Sequence, residues 1–287
     1  MLKINHLNLK ITFETLLMRD LQNNVVVVTG ASSGIGKACA LAFASKGCKL
    51  VLAARRENKL AEVAKLLPKS TEVLLIKTDV ADEKQCENLI NEAINSFGKI
   101  DILINNAGIS MRALFNEVDL NVIRQLMDVN FWGAIYCTRF AMDTLLKSSG
   151  CVVGVSSIAG FKGLPGRVGY SASKFALHGF LEALRIENLK TKLHVMLVAP
   201  GFTASEIRSK ALNASGDSQG KTPRNEGKMM SAEMVANYIV KGVERNKRQV
   251  ILTSQGKMTV LLNKLFPSLM DKIVYNHMAK EPNAPFK

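Results

Sequence analysis

Residues 25–36 read VVVVTGASSGIG and run straight into KACALAFASKG at 37–47. Four consecutive valines make a strand that is apolar on both faces, the pattern of a strand covered from both sides. The strand turns into a helix through Gly30, Gly34 and Gly36, spaced GxxxGxG. Such a turn presents backbone N–H groups and the positive end of a helix dipole to a pyrophosphate. Gly30, Ser32, Ser33, Gly34, Ile35 and Gly36 therefore form a candidate phosphate cradle. Glycines at this spacing also serve plain strand-to-helix connections, so the rest of the chain has to decide between the two.

Outward from this unit the same alternation continues. Strand-like runs fall at 25–29, 49–53, 73–77, 101–105, 151–156, 194–199 and 249–252. Helical patterns lie between them; in 171–188, for example, Leu177, Phe180, Leu181 and Leu184 recur at helical spacing. Alternating strands and helices predict an α/β fold: a doubly wound, seven-stranded parallel sheet with helices on both faces, in the three-layer Rossmann arrangement. No linker separates two folding units, so residues 21–255 read as one domain, preceded by an N-terminal extension at 1–20. Met18 stands as an alternative start for the chain. Residues 203–230 hold Gly216, Gly220, Pro223 and Gly227 among polar residues and read as a long insertion over the substrate. Residues 256–287 read as a basic, amphipathic helical extension interrupted at Pro267.

Composition narrows the classes. The chain has 287 residues, 47% hydrophobic and 22% charged, which is ordinary for a globular protein. Five scattered cysteines without a CxxC pair read as buried small hydrophobes in a reducing compartment, not as a disulfide framework or a metal site. The N-terminus lacks the continuous apolar stretch of a signal peptide, and no run is long enough to span a membrane. The expected location is cytoplasmic. Lys and Arg number 38 against 24 Asp and Glu, a formal +14, which fits a polyanionic cofactor, an anionic membrane surface or nucleic acid. No nucleic-acid-binding module accompanies that charge.

The second strand sharpens the cofactor reading. Where dinucleotide-binding folds selective for NAD carry an acidic residue for the ribose 2′-hydroxyl, this chain has Ala54, then Arg55 and Arg56. A guanidinium fork suits a 2′-phosphate, which predicts NADP(H), with Arg55 the preferred contact. Two solvated arginines opening a surface helix are the plain alternative. Asp79 and Val80, just past the third strand, are expected beside the adenine, although Asp79 also suits the N-cap of the next helix.

Tyr170 and Lys174, in YSASK, stand at i and i+4 on one helix face. An ammonium beside a phenol favours phenolate and makes the tyrosine a proton donor or acceptor for a carbonyl or alcohol oxygen. A bare YxxxK is common by chance. Ser157, 13 residues upstream at the end of a strand, gives this one a ligand-binding location.

Taken together, TGASSGIG, NNAG at 105–108, Asn130 in DVNFWG, Ser157 in VSSIAG, YSASK and Pro200-Gly201 occur in order. The chain resembles the short-chain dehydrogenase/reductase family in its compact single-domain form. The helix around Tyr170 and the basic C-terminus look most like the subgroup of 11β-hydroxysteroid dehydrogenase type 1 and the member-7 dehydrogenase/reductases. The resemblance implies hydride transfer with a nicotinamide cofactor and a Ser157, Tyr170, Lys174 and Asn130 tetrad. In it Tyr170 is the general acid/base and Ser157 orients the substrate carbonyl. Lys174 binds the nicotinamide ribose and tunes Tyr170, and Asn130 supports a water relay through a kinked helix. It also implies that Asn106, Ala107 and Gly108 border the cofactor and that Pro200, Gly201 and Thr203 meet its carboxamide end.

The expected substrate is a fairly apolar, lipidic or steroid-like ketone, aldehyde or alcohol, held between residues 158–168 and the 203–230 insertion. Phe161, Leu164, Met111 and Phe202 are the expected wall. A homodimer or homotetramer is the expected assembly. The basic tail, with Val260, Leu261, Leu265, Phe266 and Leu269 among its lysines, reads either as a peripheral membrane contact or as packing against the domain or a second subunit. A cofactor-binding regulatory or membrane-surface protein with little turnover is the rival reading, and the complete tetrad argues against it.

Overall fold

All five residues of β1 (Val25–Thr29) are buried, and its four valines each feed one of two hydrophobic cores. In this computed structural model, which describes residues 18–220, 227 and 229–286, six more strands follow. They are β2 (Lys49–Ala54), β3 (Val73–Lys77), β4 (Ile102–Asn105), β5 (Cys151–Val155), β6 (His194–Ala199) and β7 (Gln249–Ile251). They form one sheet in the order β3-β2-β1-β4-β5-β6-β7, with every neighbouring pair parallel.

The helices of the described residues are α1 (Gly34–Ala44), α2 (Glu57–Ala64), α3 (Glu83–Phe97), α4 (Leu120–Met127), α5 (Gly133–Lys147), α6 (Val168–Glu187), α7 (Ala232–Glu244), α8 (Ser254–Leu265) and α9 (Pro267–Met278). Helices α1, α2 and α7 cover one face, where Cys39, Phe43, Leu60 and Ile239 pack on Val26, Val28, Leu50 and Leu52. Helices α3, α5 and α6 cover the other, where Leu89, Cys137, Leu177 and Leu181 pack on Val25, Val27, Val51 and Leu103. Successive valines of β1 thus enter opposite cores, at about 1.5–3 kcal/mol for each buried aliphatic side chain. The chain leaves β1 for β2 on one side and returns through β4 on the other. That reversal opens a crevice at the carboxyl ends of the strands, the usual ligand position in open α/β sheets.

Some boundaries differ from the expectations in ways that matter for the site. β5 ends at Val155, so Ser156 and Ser157 lie beyond the ladder. Helix α6 starts at Val168 and not at 171, which puts Tyr170 in its first turn. The cap of α3 is Asp82 and not Asp79: Asp82 accepts the backbone N–H of Gln85 at 3.1 Å, the geometry an N-cap requires. The helical tail begins at Ser254, two residues before the expected 256, and breaks at Pro267. Of the expected insertion, 221–226 and 228 lie outside the described residues, as do 1–17 of the N-terminal extension. The rest is pinned by main-chain bonds. Leu212 donates to Ser110 and accepts from Arg112, and Ala204 donates to Met230.

All five cysteines are free and buried. Burial pushes the thiols of Cys39, Cys48 and Cys151 up to about 12, far from the thiolate a reactive cysteine needs. Among the described residues no helix is long and apolar enough to cross a membrane.

Candidate active site

At the carboxyl ends of β1, β4, β5 and β6 lies a cleft of about 980 Å³, running from Gly30 past Ser157 and Tyr170 to Met278. The first wall is backbone. Gly30 has φ +65° and Gly34 φ +52°, conformations that side chains rarely adopt. Thr29 fixes the turn to the end of β4: its hydroxyl accepts the N–H groups of Asn106 at 3.0 Å and Ala107 at 3.1 Å. Asn106 returns its amide to the Thr29 carbonyl at 2.8 Å. Thr29 carries this joint and was missed from the sequence; its place directly before Gly30 was the available signal.

Of the two arginines, Arg56 is the one held on the glycine turn. Its Nη2 donates to Ser32 Oγ and Ser33 Oγ, each at 3.1 Å. Arg55 points outward, 3.8 Å from Asp79 in a half-exposed ion pair. Both line the cleft, as do Asp79 and Val80. The carboxylate of Asp79 is occupied locally, accepting from Ala81 N–H at 3.1 Å.

The reacting end is built from β5, α6 and a defect in the helix that precedes α5. Residues Asp128–Trp132 form a π-helical turn, a local widening that recurs at functional sites. It carries Asn130, which is buried and fully engaged. Its Oδ1 accepts from Ile109 N–H at 2.8 Å, and its Nδ2 donates to the Ile109 carbonyl at 3.0 Å and to Ser173 Oγ at 2.9 Å. Ser173 in turn donates to the Tyr170 carbonyl at 2.9 Å. Ser173 therefore ties the π-turn to the tyrosine, a second residue missed although it lies inside YSASK.

Lys174 is buried, with its ammonium 5.8 Å from the centre of the Tyr170 ring and donating to the Val155 carbonyl at 3.0 Å. Burial lowers its pKa to about 8. Burial also raises the Tyr170 phenol, against the downward pull of a hydrogen bond from Ser157 and the charges of Arg167 and Arg208. Desolvation outweighs these opposing charges, so the phenol is protonated at neutral pH. Ser157 stands at the start of the 3₁₀ turn Ile158–Gly160 and accepts from Ala159 N–H at 3.2 Å. Behind it, Ser156 Oγ lies 2.6 Å from His178 Nε2, and burial together with Lys174 lowers that imidazole to about 4.

Pro200, Gly201, Phe202 and the buried Thr203 close the cleft beyond β6. Leu164 and Phe202 line it as expected. Met111 and Phe161 do not. Met111 is fully buried with Val122 and Leu126, and Phe161 packs edge-on against His178 at 4.4 Å. The wall they were expected to make comes instead from Leu212 and from α9, through Met270, Ile273, Val274 and Met278.

A family model described as short chain dehydrogenase matches residues 24–215. The chain belongs to the short-chain dehydrogenase/reductase family. Among curated proteins it is 36% identical over 278 residues to 11-beta-hydroxysteroid dehydrogenase 1A of Arabidopsis thaliana, covering 90% of this chain and 76% of that one. It is 34% identical over 268 residues to dehydrogenase/reductase SDR family member 7B of Mus musculus, covering 91% and 83%. Among solved structures, a short-chain dehydrogenase/reductase from Burkholderia phymatum in complex with NAD superposes with a TM-score of 0.78 at 27% identity, over 88% of this chain and 96% of that one. An alcohol dehydrogenase from Thermococcus sibiricus complexed with 5-hydroxy-NADP shares the fold, with a TM-score of 0.71 at 23% identity over 80% and 95%.

This family member is thus an oxidoreductase whose fold takes a nicotinamide cofactor, and its own residues fit such a group. A Cβ at Gly30 would sit 2.8 Å from Ala107 Cα, so only glycine leaves the cradle its shape. Gly108 offers a bare face against Asn130 and Lys174. The end of β2 contributes no carboxylate of its own: Ala54 leads into Arg55 and Arg56, which pair with Asp79 at 3.8 Å and Glu206 at 3.3 Å from other segments.

Proposed function

We propose that this protein is an NADP(H)-dependent oxidoreductase interconverting an apolar ketone or aldehyde with the corresponding alcohol. The observation that carries the reading is the meeting of Ser157, Tyr170 and Lys174 in one cleft whose other end is lined by Arg55 and Arg56. Arg56, together with the hydroxyls of Ser32 and Ser33, would hold the 2′-phosphate, with Arg55 adding charge from outside. Gly30 to Gly36 would take the pyrophosphate on backbone N–H groups, and Asp79 and Val80 the adenine. Asn106, Ala107, Gly108, Pro200, Gly201 and Thr203 would border the nicotinamide end. When bound, the cofactor supplies or accepts the hydride.

The chain's own residues handle the proton. In the reducing direction Tyr170, kept protonated by burial, donates its phenolic proton to the carbonyl oxygen while the Ser157 hydroxyl orients that oxygen. Lys174, brought near neutrality, is suited to return a proton toward Tyr170. Asn130 holds the π-turn and the loop at Ile109 in place through its three hydrogen bonds. Leu164, Leu212, Met270 and Met278 give the substrate side an apolar wall, which excludes water and suits a lipidic or steroid-like skeleton.

Tyr170→Phe tests this reading. NADPH binding, followed by fluorescence, should survive, while NADPH oxidation with an apolar diketone falls by about 10²–10⁴-fold. Equal turnover in the variant would sink the mechanism, and a clear preference for NADH in the native protein would sink the cofactor assignment.

A second reading concerns the tail. Leu261, Leu265, Phe266 and Leu269 are all more than half exposed beside Lys257 and Lys264, a composition suited to an anionic lipid surface. Flotation with anionic vesicles, with and without Leu265→Glu and Leu269→Glu, checks it; identical flotation removes the membrane contact.

A further inference from the structure

Glu281 lies three residues beyond α9 and is 4% exposed. Its carboxylate faces Arg167 Nη2 at 3.2 Å and Arg112 Nε at 3.7 Å. Beside it, Arg112 Nη2 donates to the Pro282 carbonyl at 2.6 Å. The segment then runs over Gly166, where a Cβ would come 3.1 Å from the Pro285 ring. Tyr275 closes the hairpin by donating to the Phe286 carbonyl at 2.9 Å. These contacts join the end of the chain to two loops of the active site. Arg112 follows Met111 in the loop after β4, and Arg167 immediately precedes α6, three residues before Tyr170. Arg167 also lines the cleft, as do Met270, Ile273, Val274 and Met278 of α9.

A buried carboxylate shared by two guanidiniums is costly to desolvate and adds little stability over an apolar packing of the same volume. Its placement is informative for another reason: it is the joint between the wall of the cleft and the helix that carries the proton donor.

We propose that Glu281 is a positioning residue that clamps the C-terminal wall over the substrate and sets the net charge Arg167 presents to Tyr170. The proposal rests on Tyr170 being the proton donor and adds two consequences to that reading. The clamp makes selectivity for long apolar substrates depend on a residue that need not touch them. It also makes the phenol's acidity depend on the Glu281 charge, because Arg167 favours phenolate and Glu281 opposes Arg167. Among the described residues, the phenol is faced by the Ser157 hydroxyl beyond β5, Lys174 on its own helix, Arg167 at the helix start and Arg208 from the segment after β6. Arg112 and Glu281 form the next layer, with His178 one turn beyond Lys174.

The test uses Glu281→Gln, Arg167→Gln and their double variant in the full chain. Near-ultraviolet titration of phenolate, with Tyr170→Phe as the blank, reads Tyr170 without turnover. Glu281→Gln should move it down by about half a pH unit and Arg167→Gln up by a similar amount, with the double variant near the native value. In steady-state assays Glu281→Gln should raise KM about tenfold for a long apolar ketone and leave KM for a small ketone unchanged, with kcat within about threefold. Glu281→Asp should recover part of that loss. An unmoved phenol, or KM values that rise equally for both ketones, would overturn the proposal. If Glu281→Gln fails to fold, the double variant against Arg167→Gln carries the same comparison. A dead Tyr170→Phe with unshifted titrations would leave the reaction reading intact and remove only this one.

Discussion

At the glycine turn the cleft is lined by main chain, whereas at the far end it is lined by side chains from segments remote in sequence. The first end is closed by Thr29, Asn106 and Ala107, joined by hydrogen bonds of 2.8–3.1 Å in which the Thr29 hydroxyl and the Asn106 amide each engage main chain. The second is closed by Leu164, Leu212 and the α9 residues Met270 and Met278, beside the buried ion pairs that link Glu281 to Arg112 and Arg167. A wall of backbone cannot be retuned without changing the path of the chain. A wall of apolar side chains can exchange one for another with modest loss.

The largest effect separating the two ends is expected in the backbone wall. A Cβ at Gly36 would fall 2.6 Å from Asn106 Nδ2 and 2.8 Å from the carbonyl carbon of Gly30, and neither can retreat without opening the turn. Gly36→Ala should cost about 2–3 kcal/mol in denaturant unfolding and weaken NADPH binding at least about tenfold. The control is Gly179→Ala in α6, where a Cβ meets nothing within 4 Å; that change should stabilise by about 0.5–1 kcal/mol. Similar behaviour in the two alanine variants would break the comparison.

Next in size is the side-chain part of the cofactor end. Arg56→Ala removes the guanidinium that bridges Ser32 and Ser33 and should lower NADPH affinity by about ten- to a hundredfold while NADH changes little. Arg55→Ala, acting on a half-exposed group, should cost less. Calorimetric titration with both nucleotides decides the order, and a larger loss at Arg55 would restore the preference read from the sequence.

The contrast also explains what was legible in the sequence. VVVVTGASSGIG was legible as a strand running into a glycine turn, because a strand between two cores needs continuous apolar residues and the positive φ of Gly30 and Gly34 needs glycine. Tyr170 and Lys174 were legible as a pair because one helix turn separates them. The α9 wall was not, because Met270, Ile273 and Met278 look like any amphipathic helix until the tail is placed. The Arg167–Glu281 pair, 114 residues apart, leaves no local pattern at all. Met111 and Phe161 were misread for the complementary reason: an apolar residue near a motif does not announce whether it faces the ligand or the core. Asp79 and Asp82 both precede α3, and only the bond from Gln85 N–H shows which one caps it.

A smaller effect tests the packing behind Ser157. The imidazole of His178 is lowered to about 4 by burial and by Lys174, so the unfolded chain, with its histidine near 6.5, takes up a proton first as the solution is acidified. The stabilisation is full above about 6.5 and is lost as pH falls through 4. His194, also lowered to about 4 by burial, adds to the same window. His178→Gln should flatten the fall in unfolding free energy between pH 6.5 and 4 without touching the β1 turn. An unchanged slope in urea titrations across that window would show that His178 is not carrying it.

The smallest expected change in stability comes with a clear change in selectivity. Ile273 lines the cleft from α9 yet is 45% exposed, so Ile273→Ala removes little buried area and leaves no closed cavity. Its unfolding free energy should stay within about 0.5 kcal/mol of native, as for ordinary surface substitutions. The lost methylenes belong to the surface a long substrate would cover, at about 0.8 kcal/mol for each CH₂ it would bury. KM for a long apolar ketone should therefore rise about fivefold, with the small ketone and NADPH unaffected. Loss of NADPH affinity in this variant would mean that the two ends of the cleft are mechanically coupled, and the substrate wall would then be part of the cofactor site.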